Sequence, residues 1–274
     1  MIDFQTLYTF IQTNTLAHGH YTHFLPKEDV RLKKVLQEAL SSDANQGYFD
    51  GEPLSALAFI APLEGDQRVD VIGPFFSLDN LPSATRIIQS ILHDYPNATL
   101  HFFFPKDNTP MQSLMNAMNA KRHDDEFILH LSKTTDLPVS NERLVPLPKH
   151  HEEAVWNLHT HVFGQTYLTK ENFFNDTQRT AYGYYHNGTL IGYGLLNRVS
   201  LTTTSIEVLA IDANYRGQNH GRKLLEELIS MAFQERPIKR IELVVESLNN
   251  NALSLYKSVG FTILSHSLNY TLKK

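Results

Sequence analysis

The chain has 274 residues, of which 42% are hydrophobic and 19% charged, and its net charge is -5. This is the composition of a globular protein long enough for one large domain or two ordinary ones, and it excludes a disordered chain. The acidic balance without a long basic run argues against nucleic acid as a partner, and the absence of cysteine rules out disulfides, thiolate zinc sites and a cysteine acyl-enzyme.

The first twenty residues contain Asp3 but no Lys or Arg, and Gln5, Thr6, Gln12, Thr13 and Asn14 interrupt their apolar positions. That is not a signal peptide, and no stretch approaches the roughly 20 apolar residues of a membrane span, so a cytoplasmic protein without membrane contact is expected. Asp50 to Leu54 reads as a hairpin turn into a strand at Ala56 to Ile60. Val69 to Phe76 predicts another strand. Ser77 to Ser83 then forms a turn that carries Asp79 and no glycine. Ala84, Ile87, Ile88, Ile91 and Leu92 fall at helical spacing, followed by a strand at Thr99 to Phe104, a short helix around Met111 to Met118 and a strand at Glu126 to Leu131. The polar run Lys133 to Ser140, with Pro138, reads as a linker.

Beyond it, Val155 to Leu158 looks helical, and the stretch from His150 to Tyr185 is rich in aromatic groups, including Phe163, Tyr167, Phe173, Phe174, Tyr182 and Tyr184. Fourteen histidines raise the question of a metal. His18, His20 and His23 cluster, and His159 and His161 are two apart. On a helix that spacing diverges, and paired carboxylates or thiolates are missing nearby, so no metal site is expected. Asn187-Gly188 predicts a second hairpin turn before a strand at Tyr193 to Leu196.

Ser205 to Ile211 reads as a buried strand that feeds the run Tyr215-Arg216-Gly217-Gln218-Asn219-His220-Gly221-Arg222-Lys223, where a glycine-containing turn passes into an apolar-periodic helix. Such a turn aims free N–H groups and the positive end of a helix dipole at one point, which suits a phosphate. A Walker loop does not fit, because Gly217 and Gly221 enclose three residues rather than four and Gly221 precedes Arg222; no Gly-x-Ser-x-Gly elbow is present either. Ile241 to Glu246 predicts another strand. In the segment Asn249 to Phe261, Ala252, Leu255, Tyr256 and Val259 fall at helical spacing, and Gly260 stands where the helix should stop.

These two segments resemble the signatures of the GCN5-related N-acetyltransferases. The first, Gln/Arg-x-x-Gly-x-Gly/Ala, is met by Arg216 and Gly221 and departs at Asn219, where the family usually has glycine; asparagine is among the residues that best tolerate a left-handed backbone. The second, Asn-x-x-Ala-x-x-Leu-Tyr-x-x-x-Gly-Phe, is complete at Asn249, Ala252, Leu255, Tyr256, Gly260 and Phe261. The resemblance covers roughly residues 140 to 274. It implies direct transfer of an acetyl group from acetyl-CoA, without a metal, to a primary amine of a small molecule or peptide. It implies that Arg216, Gly217, Gln218, Asn219, His220, Gly221 and Arg222 hold the CoA pyrophosphate, that Leu209, Ala210 and Ile211 line up the pantetheine arm, and that Asn249 contacts the same arm or caps its helix. It further implies Glu207 as the group that takes the proton from the ammonium and Tyr256 as the donor to the CoA thiolate. A catalytically silent acyl-CoA-binding protein is the alternative, and aminoacyl transfer from tRNA has weak support in an acidic chain.

The two halves share a plan. Aligning Gly51 with Gly188, and Val71-Ile72 with Val208-Leu209, gives one offset of 137 residues, half of 274. The order strand, helix, strand, helix, strand repeats after it. The expectation is an α/β (α+β) protein of two tandem domains, 1–135 and 141–274, each a mixed, mostly antiparallel sheet flanked by helices. The first is a degenerate copy, because Ser77 to Ser83 lacks glycine and carries Asp79.

Overall fold

The computed structural model describes residues 3–14, 32–33, 36–37, 46–62, 67–133, 144–164, 166 and 168–274. Two compact units form, residues 1–126 with 265–274, and residues 127–264. The linker residues Thr134 to Ser140 lie outside the described residues, as do His18, His20, His23 and Tyr167.

In the first unit, helix α1 (Phe4–Gln12) starts where the Asp3 carboxylate accepts the Thr6 N–H at 2.9 Å. Strands β1 (Gln46–Asp50), β2 (Ala56–Pro62) and β3 (Arg68–Phe76) pair antiparallel in sequence, with the expected turn at Gly51 to Leu54. Helix α2 (Leu81–Asp94) returns the chain to β4 (Thr99–Pro105), which runs parallel to β3 through three residue pairs only, Arg68 with Thr99 to Asp70 with His101. Helix α3 (Thr109–Ala117) and the short β5 (Lys121–Arg122) follow. Buried Ala84, Ile87, Ile88 and Ile91 of α2 recur at helical spacing and pack with Phe102 and Phe104 of β4. The turn before α2 has Asp79 and then Pro82 in the first helical turn, and no residue from 77 to 83 has a left-handed backbone. It thus offers a carboxylate and one N–H fewer where the second half presents amides.

The second unit contains β6 (Glu126–Ser132), α4 (Glu152–Phe163), α5 (Lys170–Asn175), β7 (Arg179–His186), β8 (Thr189–Arg198), β9 (Thr203–Ile211), α6 (His220–Gln234), β10 (Arg240–Glu246) and α7 (Asn250–Ser258). The pairing repeats that of the first unit. β7, β8 and β9 are antiparallel neighbours, joined first by a turn at Asn187 (φ 50°) and Gly188 (φ 78°), and β9 runs parallel to β10 through three pairs only. Leu224, Leu225, Leu228 and Ile229 of α6 are fully buried, each contributing about 1.5–3 kcal/mol of apolar burial against the entropy of ordering.

The compact units do not follow the sequence halves at their ends. The last strand, β11 (Thr262–Leu272), pairs antiparallel with Leu100 to Pro105 of β4 through Ser267 to Leu272, so the final ten residues count with the first unit. All of β6 after Glu126 counts with the second. No helix among the described residues is long and apolar enough to cross a membrane.

Two glycines on β8 let neighbouring elements approach. A Cβ on Gly194 would meet Leu228 of α6 at 2.4 Å, and one on Gly192 would meet the Ala210 carbonyl oxygen and Ile211, both at 2.6 Å. A backbone oxygen cannot swing aside as a side-chain tip can. Gly192→Ala is therefore expected to destabilise by about 1–3 kcal/mol and to lower Tm by several degrees, roughly 2–4 °C per kcal/mol. Thermal unfolding checks this; an unchanged Tm would mean that β9 yields without cost.

Candidate active site

β9 and β10 share a ladder only from Thr203 with Arg240 to Ser205 with Glu242. Past that point β9 from Ile206 to Ile211 and β10 from Val244 to Glu246 line the two sides of a cleft of about 1100 Å³. The other walls come from Val162 and Phe163 at the end of α4, the turn into α6, and the first part of α7.

The turn has the backbone that a phosphate cradle requires. The Asp212 carboxylate accepts the Asn214 N–H at 2.9 Å, and the Arg216 side chain folds back so that its Nε donates to the Ile211 carbonyl at 2.9 Å, closing the loop on the end of β9. Gly217 has φ 75° and Asn219 has φ 66°, ψ 7°, the left-handed conformation that the residue type suggests. Asn219 is the N-cap of α6 but makes no side-chain cap bond, so the first-turn amides of a 15-residue helix point outward with the positive end of its dipole. A Cβ on Gly221 would meet only Leu255 at 3.8 Å and Ile211 at 3.9 Å. The protein's own packing leaves room for it there, and what it would occupy is space on the cleft side. The donor set and that open space fit a diphosphate.

Of the residues expected at the site, Glu207, Leu209, Ala210, Ile211, Arg216, Gly217, Asn219, His220, Gly221, Arg222, Asn249 and Tyr256 all border the cleft. Gln218 is not among the lining residues; its side-chain amide donates to the Asn214 carbonyl at 3.3 Å. Arg222 lies along α6, with Nε on Glu226 at 2.8 Å and a terminal nitrogen on the Ser258 hydroxyl at 2.9 Å. His220 is buried, its ring 5.0 Å from that of His186 and 5.9 Å from that of Tyr184. Asn249 caps α7 by accepting the Ala252 N–H at 3.1 Å. Tyr256 is half-buried against Phe261, and burial pushes its phenol above the ordinary value, so it holds its proton at neutral pH.

Glu207 is displaced from the regular ladder. β8 and β9 pair Leu195 with Val208 but Leu196 with Ile206, so Glu207 is the extra residue of a β-bulge. The bulge reverses the alternation. Ile206 packs with the α6 core, and Val208 and Ala210 pack with the aromatic core under α4. Both Glu207 oxygens are engaged: Oε2 accepts from Arg179 Nε at 2.7 Å, and Oε1 accepts from Arg179 at 3.0 Å and from the Asn197 amide at 2.9 Å. The third nitrogen of Arg179 donates to Asp176. Arg179 and Glu207 side chains are only 13% and 11% exposed. Sequence reading missed Arg179 and Asn197, since nothing local marks a partner 28 residues away.

Behind the α4 wall, His159 is buried within hydrogen-bond reach of the Tyr193 hydroxyl (2.7 Å) and the Thr166 hydroxyl (3.1 Å), and burial lowers its pKa. Its ring stands 5.2 Å from Trp156 and 5.4 Å from Phe173. It is a satisfied core histidine that supports Phe163. No group of three metal-binding side chains occurs among the described residues.

Residues 149–261 match the model of the Acetyltransferase (GNAT) family. The N-alpha-acetyltransferase RimI of Mycobacterium tuberculosis is 36% identical over 77 residues, 27% of this chain and 46% of that protein. The [Ribosomal protein bS18]-alanine N-acetyltransferase of Escherichia coli (strain K12) is 32% identical over 84 residues, 31% of this chain and 55% of that protein. The chain thus spans about half the length of these relatives. Among solved structures, a GCN5-related N-acetyltransferase from Sphaerobacter thermophilus superposes with a TM-score of 0.75 at 16% identity, covering 97% of this chain and 91% of the other. A tandem GNAT protein from the clavulanic acid biosynthesis pathway superposes with a TM-score of 0.67 at 15% identity, covering 98% and 94%. At those identities the likeness is one of fold, and it extends over nearly the whole chain.

Proposed function

We propose, from the premise that residues 149–261 belong to the GNAT acetyltransferase family, that the protein transfers an acetyl group from acetyl-CoA to a primary amine at the cleft between β9 and β10. The observation that carries the reading is the union, in one cleft, of the left-handed turn Gly217 to Asn219 at the start of α6 with Tyr256 of α7. The turn amides and Arg216 would hold the pyrophosphate. The free edge of β9 from Leu209 to Ile211 would hold the amide-bearing arm, which brings the thioester towards Glu207.

The step balances simply. The acceptor ammonium gives a proton to solvent or to Glu207, the amine nitrogen attacks the thioester carbon, the C–N bond forms, the C–S bond breaks, and the nitrogen loses its second proton to solvent as it becomes an amide. The Tyr256 phenol donates its proton to the departing thiolate, and solvent restores it. One proton is released per amide made.

The domain reading, 1–135 and 141–274 with the acyl-CoA site in the second alone, belongs to this proposal, as does a cytoplasmic setting. It is supported by Asp79 and Pro82 in the first unit's turn. Binding without transfer is the competing reading, favoured by a Glu207 whose oxygens are already held by Arg179. Calorimetry with CoA and thiol release across an amine panel separate the two. One CoA site per chain, with thiol release that depends on the amine, is the expected result. Saturable CoA binding without release for any amine would replace transfer by binding, and two equivalent CoA sites would refute the degenerate first half.

A further inference from the structure

Resting on that acetyltransferase reading, we propose that the acceptor is a primary amine borne on an apolar body without a neighbouring carboxylate, such as an amidated or peptide-linked amino acid, and that free amino acids are rejected.

The charges of the cleft are segregated. Its lining arginines among the described residues, Arg216 and Arg222, belong to the turn and first helical turn beyond the end of β9. Glu207 lies four residues before the end of β9, and Glu246 borders the same cleft from β10. Among the described residues the guanidinium bonded to Glu207 is that of Arg179, and all three of its nitrogens donate to carboxylates, two to Glu207 and one to Asp176. Among the described residues these three side chains hold one formal positive and two formal negative charges. An ammonium is attracted to them, whereas a carboxylate beside the acceptor amine would face Glu207 with no uncommitted cation among the described residues that line this end.

Apolar groups also line the cleft. Val244 of β10, two residues past the last β9 pair, is 57% exposed and borders the cleft with Glu207. Phe163, 43% exposed, and Val162 border the cleft from α4, and Ile206 from β9. Exposed apolar groups beside a carboxylate suit a side chain next to an amine. Arg179 and Asn197, for their part, fix the carboxylate in one orientation, so that it selects by charge and direction.

Matched acceptors test this: leucinamide against leucine, phenylalaninamide against phenylalanine, and glycinamide, each followed by thiol release up to a pH at which the amine is neutral. Comparing the high-pH plateaus of kcat/KM removes the difference in amine basicity. Each amide is expected to exceed its free acid by at least about tenfold, and leucinamide to exceed glycinamide by a similar factor. Phe163→Ala should shrink the leucinamide preference over glycinamide and leave the KM for acetyl-CoA within about twofold. Free leucine turned over as well as leucinamide at the plateau would overturn the proposal while leaving the transferase reading intact. No thiol release with any amine would overturn both.

Discussion

If Tyr256 is the proton donor of the proposed reaction, Tyr256→Phe is expected to lower kcat by about 10²-fold or more and to leave the KM for acetyl-CoA within about twofold, because it removes that donor and almost no packing. The ring keeps its contact with Phe261 (centroids 5.9 Å apart), so the variant should fold as the parent does. The direction of the pH dependence follows from burial, which raises the phenol above its ordinary value of about 10. The protonated donor is intact below that raised value and is lost only as pH climbs through it. No alkaline fall in kcat below about pH 10 should therefore come from Tyr256. Steady-state kinetics of both proteins over pH 6 to 10 reads all of this. An unchanged kcat in the phenylalanine variant would assign Tyr256 to packing and leave thiolate protonation to water.

The second large effect concerns Asn219. Its φ of 66° lies where a β-branched residue is strained, so Asn219→Val is expected to cost about 1–3 kcal/mol at the turn, a loss of roughly five- to a hundredfold in CoA affinity. Asn219→Gly takes the same backbone without strain and removes a side chain that makes no cap bond, so affinity should be equal or higher. Circular dichroism separates loss of the turn from loss of the fold. If valine and glycine bind CoA alike, the amides of this turn do not hold the diphosphate, and the acyl-CoA reading then stands on Asn249 to Phe261 alone.

How far these features were legible in the sequence depends on the range of the interaction behind each. Asn249 caps α7 through a bond three residues long, Gly260 leaves the helix with φ 100°, and Asn219 enters the left-handed region. Each is a local rule that residue type enforces, so the turn and both helices could be placed without a structure. The hairpin turns at Gly51 and Asn187-Gly188 and the apolar spacing of α2 and α6 were readable for the same reason. What only the tertiary structure decided lies between strands. Glu207 in sequence is a polar residue in an apolar strand with a period of two. A register shift against β8 makes it a bulge, and Arg179 on β7, two strands away, fixes its carboxylate. Likewise nothing local in Ser267 to Leu272 says that these residues pair with β4. Strand pairing and bulge position minimise the energy of a whole sheet, in which a one-residue slip turns every later side chain to the other face, and that balance is not carried by any short window of sequence.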